Sequence, residues 1–166
     1  MVRARESYVY MASNVIKTAA QARGWGIRKC PCDSESRWGM EPADKITGIS
    51  VGAASCVNSI KITFEIDGTT GVTPRYGGSD GELFQITLMQ DEYLTSVSGY
   101  VRHICSDLPC ISQLMFGTNL GRTHGPYGGG GGTFFEVNVE YDDIKGFFGY
   151  ATTEHLTVFG VYVMLA

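Results

Sequence analysis

From about residue 44 onward the chain consists of short apolar runs separated by glycine. The clearest, SIKITFEID, alternates at period two: Ile60, Ile62, Phe64 and Ile66 share one face, and Lys61, Thr63, Glu65 and Asp67 the other. This predicts a half-buried strand, and the Asp67-Gly68 pair that follows predicts a tight hairpin turn. TFFEVNVEY repeats the device, with Phe135, Val137, Val139 and Tyr141 opposite Phe134, Glu136, Asn138 and Glu140. The closing run, LTVFGVYVML, is apolar on both faces, which suits a strand buried between layers and central in its sheet.

Glycine placement extends this pattern to the whole fold. The 22 glycines lie mainly between the apolar runs, where they supply the positive-φ turns that many short antiparallel strands need. The prediction is an all-β sandwich, barrel or prism. Only MASNVIKTAAQAR, residues 11–23, reads as helical, with Ser13 as a cap before an Ala-rich run. At 166 residues, 43% hydrophobic and 18% charged, the chain fits one globular domain with a sizeable core, and it shows no linker or short-period repeat.

Charge narrows the choice of partners. A formal net charge of −4 leaves no broad cationic surface of the kind that binds nucleic acid or anionic membrane, so neither partner is expected. No stretch is long and apolar enough to span a bilayer, and the N-terminus lacks the uninterrupted apolar core of a secretory signal. None of Asn14, Asn58, Asn119 and Asn138 has Ser or Thr two positions later, so there is no N-glycosylation acceptor. A cytoplasmic protein is the expectation. Five cysteines, an odd number, fit reduced thiols better than a secreted disulfide framework.

Candidate chemistry is sparse. The run Gly128 to Gly132 is followed by Thr133-Phe134 rather than by the lysine of a phosphate-gripping loop, and it precedes a strand pattern, so it reads as a turn. There is no Gly-x-Ser-x-Gly elbow, and His103, His124 and His155 are far apart in sequence. No pair of carboxylates is placed for glycan hydrolysis, so enzyme activity is not expected. Cys30 with Cys32, and Cys105 with Cys110, would bind a soft metal or form disulfides if folding brought them together. Neither spacing is the usual zinc Cys-x-x-Cys, and free cysteine commonly behaves as a small hydrophobe; no metal or cofactor is expected.

Five separated segments occur in a distinctive order: GGSDGELFQITLMQDEYLTSVSGYV, ISQLMFGTN, HGPYGGGGGTFF, IKGFFG and FGVYV. Together they resemble the jacalin-related lectin domain of plants, from about Asp44 to the end, with Gly24-Trp25-Gly26 similar to the start of that family's N-terminal glycine segment. The resemblance implies a β-prism of three four-stranded Greek-key sheets, the first and last strands sharing one sheet. It divides the chain into residues 1–22, an N-terminal extension with a possible first strand, and a lectin domain over 23–166. It also implies carbohydrate binding, mannose- or glucose-type, by three loops at one end of the prism.

Carried over position by position, the resemblance puts Gly24 and Gly26 in the first loop and Asp107, Leu108 and Pro109 in the variable recognition loop. Thr153, Glu154, His155 and Thr157 fall in the last loop. There the family's Gly-x-x-x-Asp becomes Thr153 and Thr157. The aspartate matters because a carboxylate accepts two charge-assisted bonds from vicinal sugar hydroxyls, whereas a threonine hydroxyl accepts without charge. Glu154 is either a replacement acceptor or a solvated loop carboxylate. His155 is either a flat packing surface for sugar or an exposed loop histidine. The expectation is a lectin with weakened affinity; the alternative is a degenerate prism that serves as a protein-interaction module or homodimer without sugar binding.

Overall fold

The structure is a computed structural model that describes residues 7–11, 35–105, 108–139 and 143–164. Thirteen strands are formed among the described residues, with no helix. They are β1 (Ser7–Met11), β2 (Ser36–Gly39), β3 (Lys45–Ala53), β4 (Val57–Ile66), β5 (Thr69–Val72), β6 (Tyr76–Gly77) and β7 (Glu82–Thr87). Then follow β8 (Leu94–Cys105), β9 (Leu108–Thr118), β10 (Thr123–Tyr127), β11 (Thr133–Asn138), β12 (Ile144–Ala151) and β13 (Leu156–Met164).

The strands form three antiparallel sheets. The first has the order β1-β13-β12-β2, so the first and last strands are neighbours, and the second has the order β10-β9-β8-β11. The third runs β5-β4-β3-β7, with β6 also pairing with β4. β5 and β6 occupy the same edge of β4, and the break between them contains Pro74, whose missing N–H cannot continue a ladder. The third sheet is thus four positions wide with one interrupted edge strand. This is the β-prism that the sequence resemblance implies.

Strand faces follow the alternation read from the sequence. Ile60 and Ile62 are fully buried while Lys61 is exposed, and on β11 Phe135 and Val137 are buried while Phe134 is exposed. Asp67 and Gly68 have φ of +49° and +76°, the pair of positive values that a two-residue hairpin turn needs. β13 lies between β1 and β12 and is buried on both faces from Leu156 to Val161. Met11, read as the start of a helix, instead ends β1, where it pairs with Gly160. The rest of the 11–23 segment lies outside the described residues.

A chain of aromatic contacts joins the sheets through the prism axis. Phe116 on β9 meets Phe147 on β12 edge-on at 6.0 Å, Phe147 meets Phe159 on β13 at 5.2 Å, and Phe159 meets Trp38 on β2 at 5.9 Å. Trp38 then stacks on Tyr76 of β6 at 4.8 Å. Such pairs add about 0.5–1.5 kcal/mol each beyond the area they bury. Around them, Ile49, Ile86, Ile111 and Leu114 complete a single core shared by the sheets.

At the start of β8, opposite the β8–β9 hairpin, a buried carboxylate ties two turns together. Glu92, fully buried, accepts from the Met89 amide at 3.1 Å, the Thr118 hydroxyl at 3.0 Å and Arg122 Nη1 at 2.9 Å. Burial pushes its carboxyl up, but the Met89 amide, the Thr118 hydroxyl, Arg122 and His124 outweigh burial and hold it below the usual glutamate value.

Candidate functional site

The β12–β13 connection, residues 152–155, is shaped by Thr152. Its amide donates to the His155 carbonyl at 2.9 Å, and its hydroxyl oxygen accepts from the Glu154 and His155 amides, each at 3.1 Å. A buried hydroxyl thus does locally what a positive-φ glycine would otherwise do for the turn. Thr153 therefore avoids the strain that its β-branch would meet at positive φ. Asp67 is the one non-glycine residue with positive φ among the described residues.

The loop rests on the third sheet. Asn58 Nδ2 donates to the Glu154 carbonyl at 3.0 Å, and Gly78 passes directly beneath Glu154. A Cβ on Gly78 would stand 2.5 Å from the Glu154 carbonyl oxygen, so the Gly77-Gly78 turn is what allows the contact.

The decisive geometry lies at Thr157. Its side chain is fully buried, and its hydroxyl donates to Glu35 Oε1 at 2.6 Å. Strand register explains this. Ser36 at the start of β2 faces Ala151 at the end of β12, and Ala151 faces Leu156, so Glu35 reaches over the end of β12 to the base of the loop. A half-buried carboxylate from the N-terminal side of β2 thus stands beside the residue that occupies the aspartate position of the resembled motif.

The sequence-predicted site residues divide accordingly. Thr153 and Glu154 are exposed on the loop. His155 is not an exposed loop histidine: it is 5% exposed, and its Nε2 has no hydrogen-bond partner among the described residues. Thr157 is buried, with its hydroxyl bonded to Glu35. Pro109 is buried within β9, paired with His103, rather than held out on an open loop, and Leu108 begins that strand. Gly24, Gly26 and Asp107 lie outside the described residues, as do Cys30 and Cys32. Cys110 is a buried free thiol, and among the described residues no cluster of three or more metal-ligating side chains is found.

Glu35 escaped the sequence reading. The one signal in the sequence was that a carboxylate appears shortly before Trp38, while position 157 carries threonine where the resembled motif has aspartate. A groove of about 400 Å³ lined by residues such as Arg37, Met40, Phe148 and Tyr162 runs along the strands of the first sheet rather than at these loops.

The family model for the jacalin-like lectin domain matches residues 31–162. The chain belongs to this family. Its members are carbohydrate-binding domains and not enzymes. Among curated relatives, jacalin-related lectin 35 of Arabidopsis thaliana is 37% identical over 138 residues, covering 79% of the chain. A mannose/glucose-specific lectin of Parkia pendula is 34% identical over 133 residues, covering 76% of it. The chain spans only 29% of the length of each. Among solved structures, Malaysian banana lectin superimposes with a TM-score of 0.73 at 35% identity, covering 86% of this chain and 95% of that one. Artocarpin in complex with mannopentose gives 0.73 at 28% identity, covering 80% and 91%.

Proposed function

We propose that this lectin domain binds mannose- or glucose-type carbohydrate at the 152–155 loop, with the Glu35 carboxylate taking the part of the absent loop aspartate. The observation that carries the reading is the 2.6 Å bond from the Thr157 hydroxyl to Glu35 Oε1. Together they place a carboxylate beside the position of the resembled motif's aspartate. The hydroxyl holds one carboxylate oxygen at the base of the loop, and a carboxylate is the kind of acceptor that vicinal sugar hydroxyls bond most strongly. The sugar class is supported by a relative named for mannose/glucose specificity and by the artocarpin–mannopentose complex.

The same geometry argues for modest affinity. The Glu154 and His155 amides, donors of the kind that grip sugar hydroxyls, are turned inward to Thr152. Simple monosaccharides are expected to bind no tighter than roughly millimolar, about −4 kcal/mol, with larger glycans bound more tightly. The test is Glu35→Gln, which keeps the shape and a carbonyl for Thr157 but removes the charge. Hydrogen bonds to charged groups contribute about 1.5–3 kcal/mol, so binding to a mannose oligosaccharide, followed by calorimetry, should fall roughly 10- to 100-fold. Unchanged affinity would exclude Glu35 from the site.

A further inference from the structure

The turn between β3 and β4 meets the β8–β9 pair through two sulfur atoms and a guanidinium. Arg102 and Cys110 are directly opposed across β8 and β9, so their side chains leave the same face. Arg102 Nη2 reaches the turn, donating to the Ser55 carbonyl at 3.1 Å and to Cys56 Sγ at 3.4 Å. Arg102, opposite Cys110 and bonded to Cys56, thus brings the two thiols to one corner of the prism. Cys110 is fully buried and Cys56 is 5% exposed. A cysteine that merely fills space has apolar neighbours. Here two thiols from different sheets lie on either side of one cation.

We propose that Cys56 and Cys110 form a redox-active dithiol, in which Cys56 is oxidised by hydrogen peroxide and Cys110 resolves the product into a disulfide joining the third sheet to the second. The Cys56 thiolate attacks one peroxide oxygen and the O–O bond breaks. Cys56 becomes a sulfenic acid, and the departing hydroxide takes a proton to leave as water. The Cys110 sulfur then attacks the Cys56 sulfur, the S–O bond breaks, and a second water leaves with the Cys110 proton. Two thiols together lose two electrons, and one peroxide is reduced to two waters.

The electrostatics assign the two roles. The neighbouring Cys110 thiol and the Arg102 guanidinium outweigh burial and hold the Cys56 thiol below the usual thiol value, whereas the Cys56 sulfur and burial push Cys110 above it. The thiolate is the nucleophile, so Cys56 attacks first and Cys110 stays protonated until the sulfenic acid forms. The pair lies next to the lectin loop: Asn58, two residues beyond Cys56, is the residue that holds the Glu154 carbonyl.

The test uses the full reduced chain exposed to a small excess of hydrogen peroxide, followed by non-reducing peptide mapping. The expected product is a peptide pair linked through Cys56 and Cys110, lost in both Cys56→Ser and Cys110→Ala. In Cys110→Ala, Cys56 should accumulate as a sulfenic acid trapped by dimedone, and Arg102→Gln should slow disulfide formation in the otherwise intact chain severalfold. Links confined to Cys30, Cys32 and Cys105, or modification of Cys110 before Cys56, would overturn the proposal. Wild-type mapping decides the matter even if a variant fails to fold.

Discussion

Restoring the family aspartate at position 157 should, by itself, harm this domain. The Thr157 hydroxyl sits 2.6 Å from Glu35 Oε1 in a fully buried position. An aspartate there would carry its carboxylate about one bond further toward Glu35, so the two carboxylates must be pushed apart to roughly 3–4 Å. At 4 Å their repulsion is about 1 kcal/mol in water and about 4 kcal/mol at the effective dielectric of a protein surface. Glu35 is half-buried, so the cost should fall between these limits.

Thr157→Asp should therefore lower the melting temperature, by roughly 2–4 °C per kcal/mol for a domain of this size. The loss should be greater at pH 8 than at pH 5. One carboxyl of such a pair has a raised folded-state pKa, so its sharing of a proton relieves the strain at low pH and stability falls as pH rises. Adding Glu35→Gln removes the repulsion while leaving one carboxylate in the site. The double variant should regain most of the lost stability and bind a mannose oligosaccharide better than Glu35→Gln alone. Thermal melts and calorimetry on the four proteins give a coupling energy of about 1–4 kcal/mol if the geometry is right. A Thr157→Asp single variant that is as stable as wild type and binds sugar more tightly, with no further change on adding Glu35→Gln, would refute the reasoning.

Two other outcomes test the scaffold. Glu92→Gln should cost about 1.5–3 kcal/mol at pH 7, since it weakens charge-assisted bonds to a buried carboxylate. Because the folded-state value of Glu92 is lowered, its contribution is present above the unfolded value of about 4.3 and lost as pH falls through the folded one, so the gap between variant and wild-type melts should close in acid. Gly78→Ala places a methyl 2.5 Å from the Glu154 carbonyl and should displace the 152–155 loop, costing about 1–3 kcal/mol and most of the glycan binding; full binding on a glycan array would show that this contact does not position the loop.

Most of the architecture was legible because it is set by neighbours close in sequence. Alternation assigned Ile60 and Ile62 to the core and Lys61 to solvent, Asp67-Gly68 declared its turn, and the two-sided apolar run of β13 declared a central strand. These signals rest on side-chain direction and backbone sterics, which act over two to four residues. Thr153 and Thr157, where the resembled motif has glycine and aspartate, could also be read directly.

What holds that corner together could not be read from the sequence. Glu35 meets Thr157 across 122 residues because β2 and β13 flank β12 in one sheet, a register that no local pattern encodes. His155, polar and in a loop, is buried only because Thr152 folds the turn back onto the sheet and Asn58 and Gly78 receive it. Spacing drew notice only to Cys30 with Cys32, outside the described residues, and to Cys105 with Cys110; it gave no sign that Arg102 would stand opposite Cys110 and bond Cys56. Local sequence fixes which face a residue shows and where the chain turns. Which distant residues then meet depends on how the ends of three sheets converge, and that convergence is a property of the closed prism.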